Sequence, residues 1–178
     1  MQDLDLGHLV EACQKQDRLA QHALYEQVVG RVHGLVVRMV GRNEVDDVIQ
    51  NIFLQLFRTI GSFRGESRFE TWLYRLVVNE ALQHRRRNRR WPIPSLEGDC
   101  PARASEPDSS LGDSELLSGA LDALAPDLRA LFVLREVEGL SYRELAEVTN
   151  VPEGTVGSRL NRARQELRRS MLALGWEE

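Results

Sequence analysis

Lysine is almost missing from this chain: of its 23 basic residues only Lys15 is a lysine, and the rest are arginines. A guanidinium makes planar, bidentate contacts with phosphates and base edges that an ammonium cannot make, although a GC-rich genome inflates arginine equally well. Aromatics are scarce as well, at 6% of 178 residues. Together with abundant leucine this favours helices, because straight-chain side chains lose little rotamer freedom there. No apolar run is long enough to cross a bilayer. The opening MQDLDLGHLVEAC carries acids where a secretory leader carries cations, so a cytoplasmic chain without membrane insertion is expected. The two cysteines, Cys13 and Cys100, are far apart and have no CxxC spacing, and His8, His22, His33 and His84 form no compact set. One buried and one solvated thiol are expected, with no metal site and no cofactor. Gly-rich phosphate loops, GxSxG and HExxH are all absent, which leaves enzymatic chemistry little to stand on.

What is present is unevenly spread. The formal net charge of −4 divides into about +3 over residues 1–91, −4 over 92–113 and −3 over 114–178. The middle segment, with its continuation to Glu115, holds four of the six prolines and many Ser, Gly and Asp residues. It reads as an acidic flexible linker between two domains.

Both flanking segments have helical periodicity and no strand alternation, so the expected fold is all-α: two small helical domains, the second containing a helix-turn-helix. In the first, Leu9 to Val29 reads as one amphipathic stretch continued by Val32 to Val40. Asn43 and Asp46 offer a helix start, and Val48, Ile49, Ile52, Phe53, Leu56, Phe57 and Ile60 form an apolar stripe. Ser67-x-x-Glu70 has the form of a capping box opening the next helix. In the second, Leu116 to Leu124 and Asp127 to Glu138 read as helices. Gly139 ends the latter, Ser141-x-x-Glu144 forms another capping box, and a last helix follows Pro152 to about Leu172.

The strongest motif spans Ser141 to Leu172. A short and a long helix flank Thr149-Asn150-Val151-Pro152, with Ala146 small at the crossing, Asn150 where a left-handed backbone is needed, and Val156 as an apolar plug. Val156, Leu160, Ala163 and Leu167 should face inward. This puts Thr155, Ser158, Arg159, Asn161, Arg162 and Gln165 on the outer surface, where such side chains read base edges, while Arg164, Arg168 and Arg169 suit phosphates. A solvated amphipathic helix with Glu166 paired to arginines is the plainer alternative. In the first domain, SFRGESRFETWLYRLVVNEALQHRRRNRR sets Phe63, Phe69, Trp72 and Tyr74 beside cations that include Arg85 and Arg86. Aromatics interleaved with arginines suit unstacked bases, although such aromatics more often belong to a core.

These stretches resemble the extracytoplasmic-function (ECF) group of bacterial sigma factors over nearly the whole chain. DDVIQNIFLQLFRTIGSFRGESRFETWLYRLVVNEAL carries the likeness in the first domain. GLSYRELA and GTVGSRLNRAR carry it in the second, almost letter for letter. The resemblance implies a region 2 domain (1–91) that binds the clamp of core RNA polymerase and the melted minus-ten element, and a region 4 domain (114–178) that reads the minus-thirty-five element as duplex. It further implies a non-enzymatic role in promoter melting and control by an anti-sigma factor. Asp46, Asp47, Gln50 and Asn51 would meet the clamp. Phe63, Arg64 and Asn79 would hold an extruded base, with Trp72 and Tyr74 near the melting surface. Gly157 stands where Lys or Arg is common, and Asn51 where an acid is common. Two rivals are an ordinary helix-turn-helix regulator and a catalytic role for Asp46–Asp47; the latter pair would point about 100° apart on a helix and converge poorly on one substrate.

Overall fold

The computed structural model describes residues 6–41, 45–90 and 109–176. Every regular element among them is helical. The first half holds α1 (Leu6–Gln14), α2 (Arg18–Val40), α3 (Val45–Thr59), a 3-10 turn (Ile60–Ser62) and α4 (Phe69–Arg90). The second holds α5 (Ser109–Ala123), α6 (Pro126–Glu136), α7 (Tyr142–Thr149) and α8 (Glu153–Ala173). No helix among the described residues is long and apolar enough to cross a membrane. Cys100 and Asn43, together with most of the proposed linker, lie outside the described residues.

The single amphipathic stretch expected from Leu9 to Val29 is in fact two helices. Gln16 takes a left-handed backbone with φ of 62°. Asp17 then caps α2, its carboxylate accepting from the Leu19 and Ala20 amides at 2.8 and 3.2 Å. The periodicity survives the break because α1 folds back on α2. Leu9, Val10 and Cys13 therefore enter the same core as Ala20, Leu24 and Val28. Cys13 is 1% exposed, and burial pushes its thiol pKa up.

On α3 the expected stripe is the buried one: Val48, Ile52, Phe53 and Leu56 are buried, and Ile49 and Phe57 pack at the margin. Each fully buried side chain of this size contributes about 1.5–3 kcal/mol through lost contact with water. The helix ends at Thr59 and passes into the 3-10 turn at Ile60, which is 2% exposed. The chain then loops to α4, whose cap is Arg68 rather than Ser67: the Arg68 carbonyl accepts from the Trp72 amide at 3.2 Å.

In the second half α5 begins seven residues before the expected Leu116. Ser109, Ser110 and Gly112 are weak helix formers without apolar periodicity, which is why that turn is illegible in the sequence. Pro126 opens α6, which ends at Glu136 with Val137 as its cap, two residues short of the expected Glu138; Gly139, with φ of 71°, turns the chain just beyond it. The Ser141 capping box forms as expected, and α8 runs close to its expected length. The halves pack on one another, α4 against α7 and α6, and α2 against α6 and α5.

Candidate nucleic-acid interface

The helix-turn-helix is pinned at both ends of α7. At the start, the Ser141 amide and hydroxyl both donate to the Glu144 carboxylate, at 2.8 and 2.7 Å, while the Glu144 amide donates to the Ser141 hydroxyl at 3.3 Å. These bonds hold the Glu144 carboxyl below its ordinary pKa. At the end, Asn150 adopts φ 54° and ψ 44°, a left-handed cap that Asn tolerates better than most residues. Its amide and that of Val151 both donate to the Ala146 carbonyl. The turn thereby directs α8 across α7, and Val156, Leu160 and Ala163 are each 0% exposed. That inward stripe fixes the opposite face.

The outward face has the expected residues. Ser158, Asn161, Arg162, Arg164, Gln165 and Arg168 are exposed, and Thr155 and Arg159 are half-exposed. Three of its arginines are held by acids. Arg162 donates to Glu166 at 2.7 Å, Arg164 to Glu136 at 2.6 Å, and Arg159 lies 3.5 Å from Asp127. Ion pairs this open to solvent are weak and exchangeable, so they orient the guanidiniums without committing them. The exposed polar face and the plainer acid-paired helix are therefore the same residues. A side chain at Gly157 would approach the Tyr142 ring at 3.5 Å, ordinary van der Waals contact.

In the first half, Phe63 meets the Phe69 ring edge-on at 5.8 Å and tilts against Trp72 at 5.5 Å. The loop carrying Phe63 is tied to α1: Gln14 Nε2 donates to the Phe63 carbonyl at 2.8 Å and to the Ile60 carbonyl at 3.2 Å. Between α1 and this loop lies an open cleft of about 490 Å³, lined by Val10, Gln14, Phe63, Arg64 and Phe69 among others.

Helix α4 separates the remaining residues by face. At about 100° per residue, Trp72, Asn79 and Arg86 fall on one side, and Asn79 and Arg86 are exposed there. Tyr74 and Arg85 fall on the other side. Tyr74 is only 5% exposed and donates its hydroxyl hydrogen to Glu138 of the second half. The expected grouping of four aromatics is thus three, Phe63, Phe69 and Trp72, with Tyr74 on the face that meets the other domain. On α3, Asp46, Asp47, Gln50 and Asn51 are all exposed. Asp46 turns towards a cleft shared with Leu117 and Arg129, whereas Asn51 lines a groove with Gln55, Arg58 and Arg87. No group of three or more His, Cys, Asp or Glu residues able to hold a metal occurs among the described residues.

Sequence reasoning missed two residues here. Gln14 looks like any polar position on an amphipathic helix, and nothing local marks its partners, 46 and 49 positions away. Leu54 is 64% exposed on the same face as Asn51. A leucine out of phase with the α3 stripe was the available signal.

Residues 24–91 match the family Sigma-70 region 2, and residues 114–167 match Sigma-70, region 4. The ECF RNA polymerase sigma-E factor of Haemophilus influenzae is 38% identical over 170 residues, covering 88% of this chain and 90% of that one. Its counterpart in Escherichia coli K12 is 37% identical over 172 residues, covering 89% and 90%. Two solved structures share the fold. One is the sigma factor RpoE of Bartonella quintana in complex with the anti-sigma factor NepR, with a TM-score of 0.64 at 23% identity, covering 85% of this chain and 96% of that one. The other is CnrH in complex with the cytosolic domain of CnrY, with a TM-score of 0.67 at 22% identity, covering 93% and 96%. With a helix-turn-helix in one half, an aromatic loop in the other and such likeness along nearly its whole length, the chain belongs to the ECF family of RNA polymerase sigma factors.

Proposed function

We propose that this sigma factor, acting in the cytoplasm, directs core RNA polymerase to a subset of promoters by dividing recognition between its halves, with no catalytic step of its own. The observation that carries this reading is the outward face of α8, six exposed polar or cationic side chains held in place by a fully buried stripe. In this reading Thr155, Ser158, Arg159, Asn161, Arg162 and Gln165 enter the major groove of the minus-thirty-five duplex, and Arg164 and Arg168 grip phosphates.

The cleft lined by Phe63 and Arg64, together with Trp72 against the Phe63 ring and Asn79 further along the same side of α4, receives an extruded base of the melted minus-ten strand. Unstacking a base costs a few kcal/mol, which contacts in such a cleft offset. The tie from Gln14 supports that role, because a pocket fixed in advance pays less ordering entropy on binding. The exposed stripe Asp47, Gln50, Asn51 and Leu54, with Asp46 at its edge, meets the polymerase clamp. An exposed leucine ringed by polar groups is what an interface core and rim require. The sigma factor RpoE of similar fold is bound to the anti-sigma factor NepR, which supports the same mode of control here.

Run-off transcription with core polymerase over a genomic promoter library tests the reading. Transcripts that depend on the added protein are expected. Tight duplex binding without transcription from any template would favour an independent helix-turn-helix regulator instead.

A further inference from the structure

Tyr142, the first residue of α7, is a large aromatic side chain with 41% of its surface exposed. Its ring is nevertheless held in place. The Arg135 guanidinium carbon lies over the ring, 5.6 Å from its centroid. Arg135 is itself anchored, donating from Nη1 to the Leu140 carbonyl at 2.6 Å. Arg164 of α8, paired with Glu136, also comes within interaction range of the phenol. The Ser141 capping box fixes the backbone from which the ring projects. A cation over the ring and a capped first turn both restrict where the side chain can go.

The ring lies against the second turn of α8. A Cβ at Gly157 would come 3.5 Å from Tyr142 Cε2, so the missing side chain leaves the ring edge uncovered on that side. The fold does not require glycine there. Its backbone is ordinary helix, and an added Cβ would make only van der Waals contact. An interior helical glycine costs helix stability, and here no close packing offsets that cost. Gly157 adjoins Ser158 and stands one turn before Asn161, both exposed on the face proposed to enter the major groove. The N-terminal turns of a recognition helix are the ones that reach base edges.

We propose that the Tyr142 ring edge and the space at Gly157 form a recess for the 5-methyl group of one thymine in the minus-thirty-five duplex. Tyr142 is then a specificity-determining residue beside an otherwise polar reading surface. The thymine methyl is the apolar feature that base edges display in the major groove. Hydrogen bonds from Ser158 or Asn161 report donors and acceptors, whereas a fixed aromatic edge reports a methyl. A ring immobilised before binding also loses little freedom when it meets the base. This inference rests on the proposed reading of the minus-thirty-five duplex by α8.

Replacing thymine by uracil removes that methyl and keeps every hydrogen-bonding group, so uracil is the probe. Core polymerase carrying the full chain is bound to a promoter duplex recovered from the run-off library. Each thymine of the minus-thirty-five element, on either strand, is replaced singly by uracil. Uracil at one position should weaken wild-type binding roughly fourfold, as the loss of one buried methyl predicts. Tyr142→Ala removes the ring and Gly157→Leu covers its edge; both should bind the thymine and uracil duplexes equally. Tyr142→Phe keeps the ring and should keep the difference. Because the readout is a ratio between two duplexes, a uniform loss of affinity in a variant does not imitate the result. The recess is overturned if the wild type has no uracil-sensitive position, or if the difference survives in Tyr142→Ala or Gly157→Leu. Loss of the difference in Tyr142→Phe would assign it to the hydroxyl and overturn the apolar contact. Transcription without any methyl effect sinks this inference alone. If the chain supports transcription from no promoter, the functional reading fails and this inference falls with it.

Discussion

Gln14 and Phe63 are joined by a 2.8 Å hydrogen bond from the Gln14 side-chain amide to the Phe63 carbonyl, 49 residues apart. Through this bond α1 sets the shape of the loop that borders the candidate base cleft. Gln14→Leu removes the donor and leaves two carbonyls to find water, a loss of about 1–3 kcal/mol. Promoter opening, followed by 2-aminopurine fluorescence in the complex with core polymerase, should weaken by about tenfold or more. Binding of the isolated duplex should not change.

Division of labour between the halves makes a second prediction. Arg162→Ala should weaken duplex binding by roughly tenfold, and Asn79→Ala should impair opening alone. Equal losses of both activities in both variants would refute the separation.

The acid partners of α8 give a third. Glu166→Gln releases Arg162, whose guanidinium proton is held more firmly than usual by that carboxylate. Duplex affinity should rise at low salt, and the gain should shrink as salt is raised. A drop in affinity would mean that Glu166 positions Arg162 for a base rather than restraining it.

Gly157→Arg offers a gain of function. The side chain has room beside Tyr142, and replacing an interior helical glycine contributes about 0.5–1 kcal/mol. One added phosphate contact should steepen the salt dependence of duplex binding by about one unit. Thermal melting and a salt titration check the two parts separately.

The capping box of α7 predicts a pH response. Because the Glu144 carboxyl is held below its ordinary value by Ser141, its contribution is fully present above about pH 4.3, the unfolded value. That contribution is lost as pH falls through the lower, folded value. Ser141→Ala should cost about 1 kcal/mol near neutrality, a melting shift of about 4–8 °C for a domain of this size. The difference from wild type should narrow in acid.

Local chemistry was the legible part of this chain. Asn150, Ser141 and the buried stripe of α8 each follow from the conformational preference of one residue or from one period, and the structure has them where the sequence placed them. The α1–α2 break was not legible, because folding back keeps apolar residues in phase while Asp17 looks like any surface acid. The opposite faces of α4 were countable in advance, since Tyr74 and Arg85 sit on the far side from Asn79. That the far side is covered was not countable, because Glu138 is 64 positions from Tyr74 and belongs to a turn whose own sequence serves only to end α6.

The second half uses different helices for its two surfaces. Arg129 and Glu138, on α6 and the turn after it, face the first half, whereas the polar face proposed to read DNA belongs to α8. Promoter preference and domain closure can therefore be exchanged independently between relatives. A chimera that imports only the outer residues of α8 keeps its host's closure intact. One that imports the whole second half inherits a foreign closure along with the new promoter.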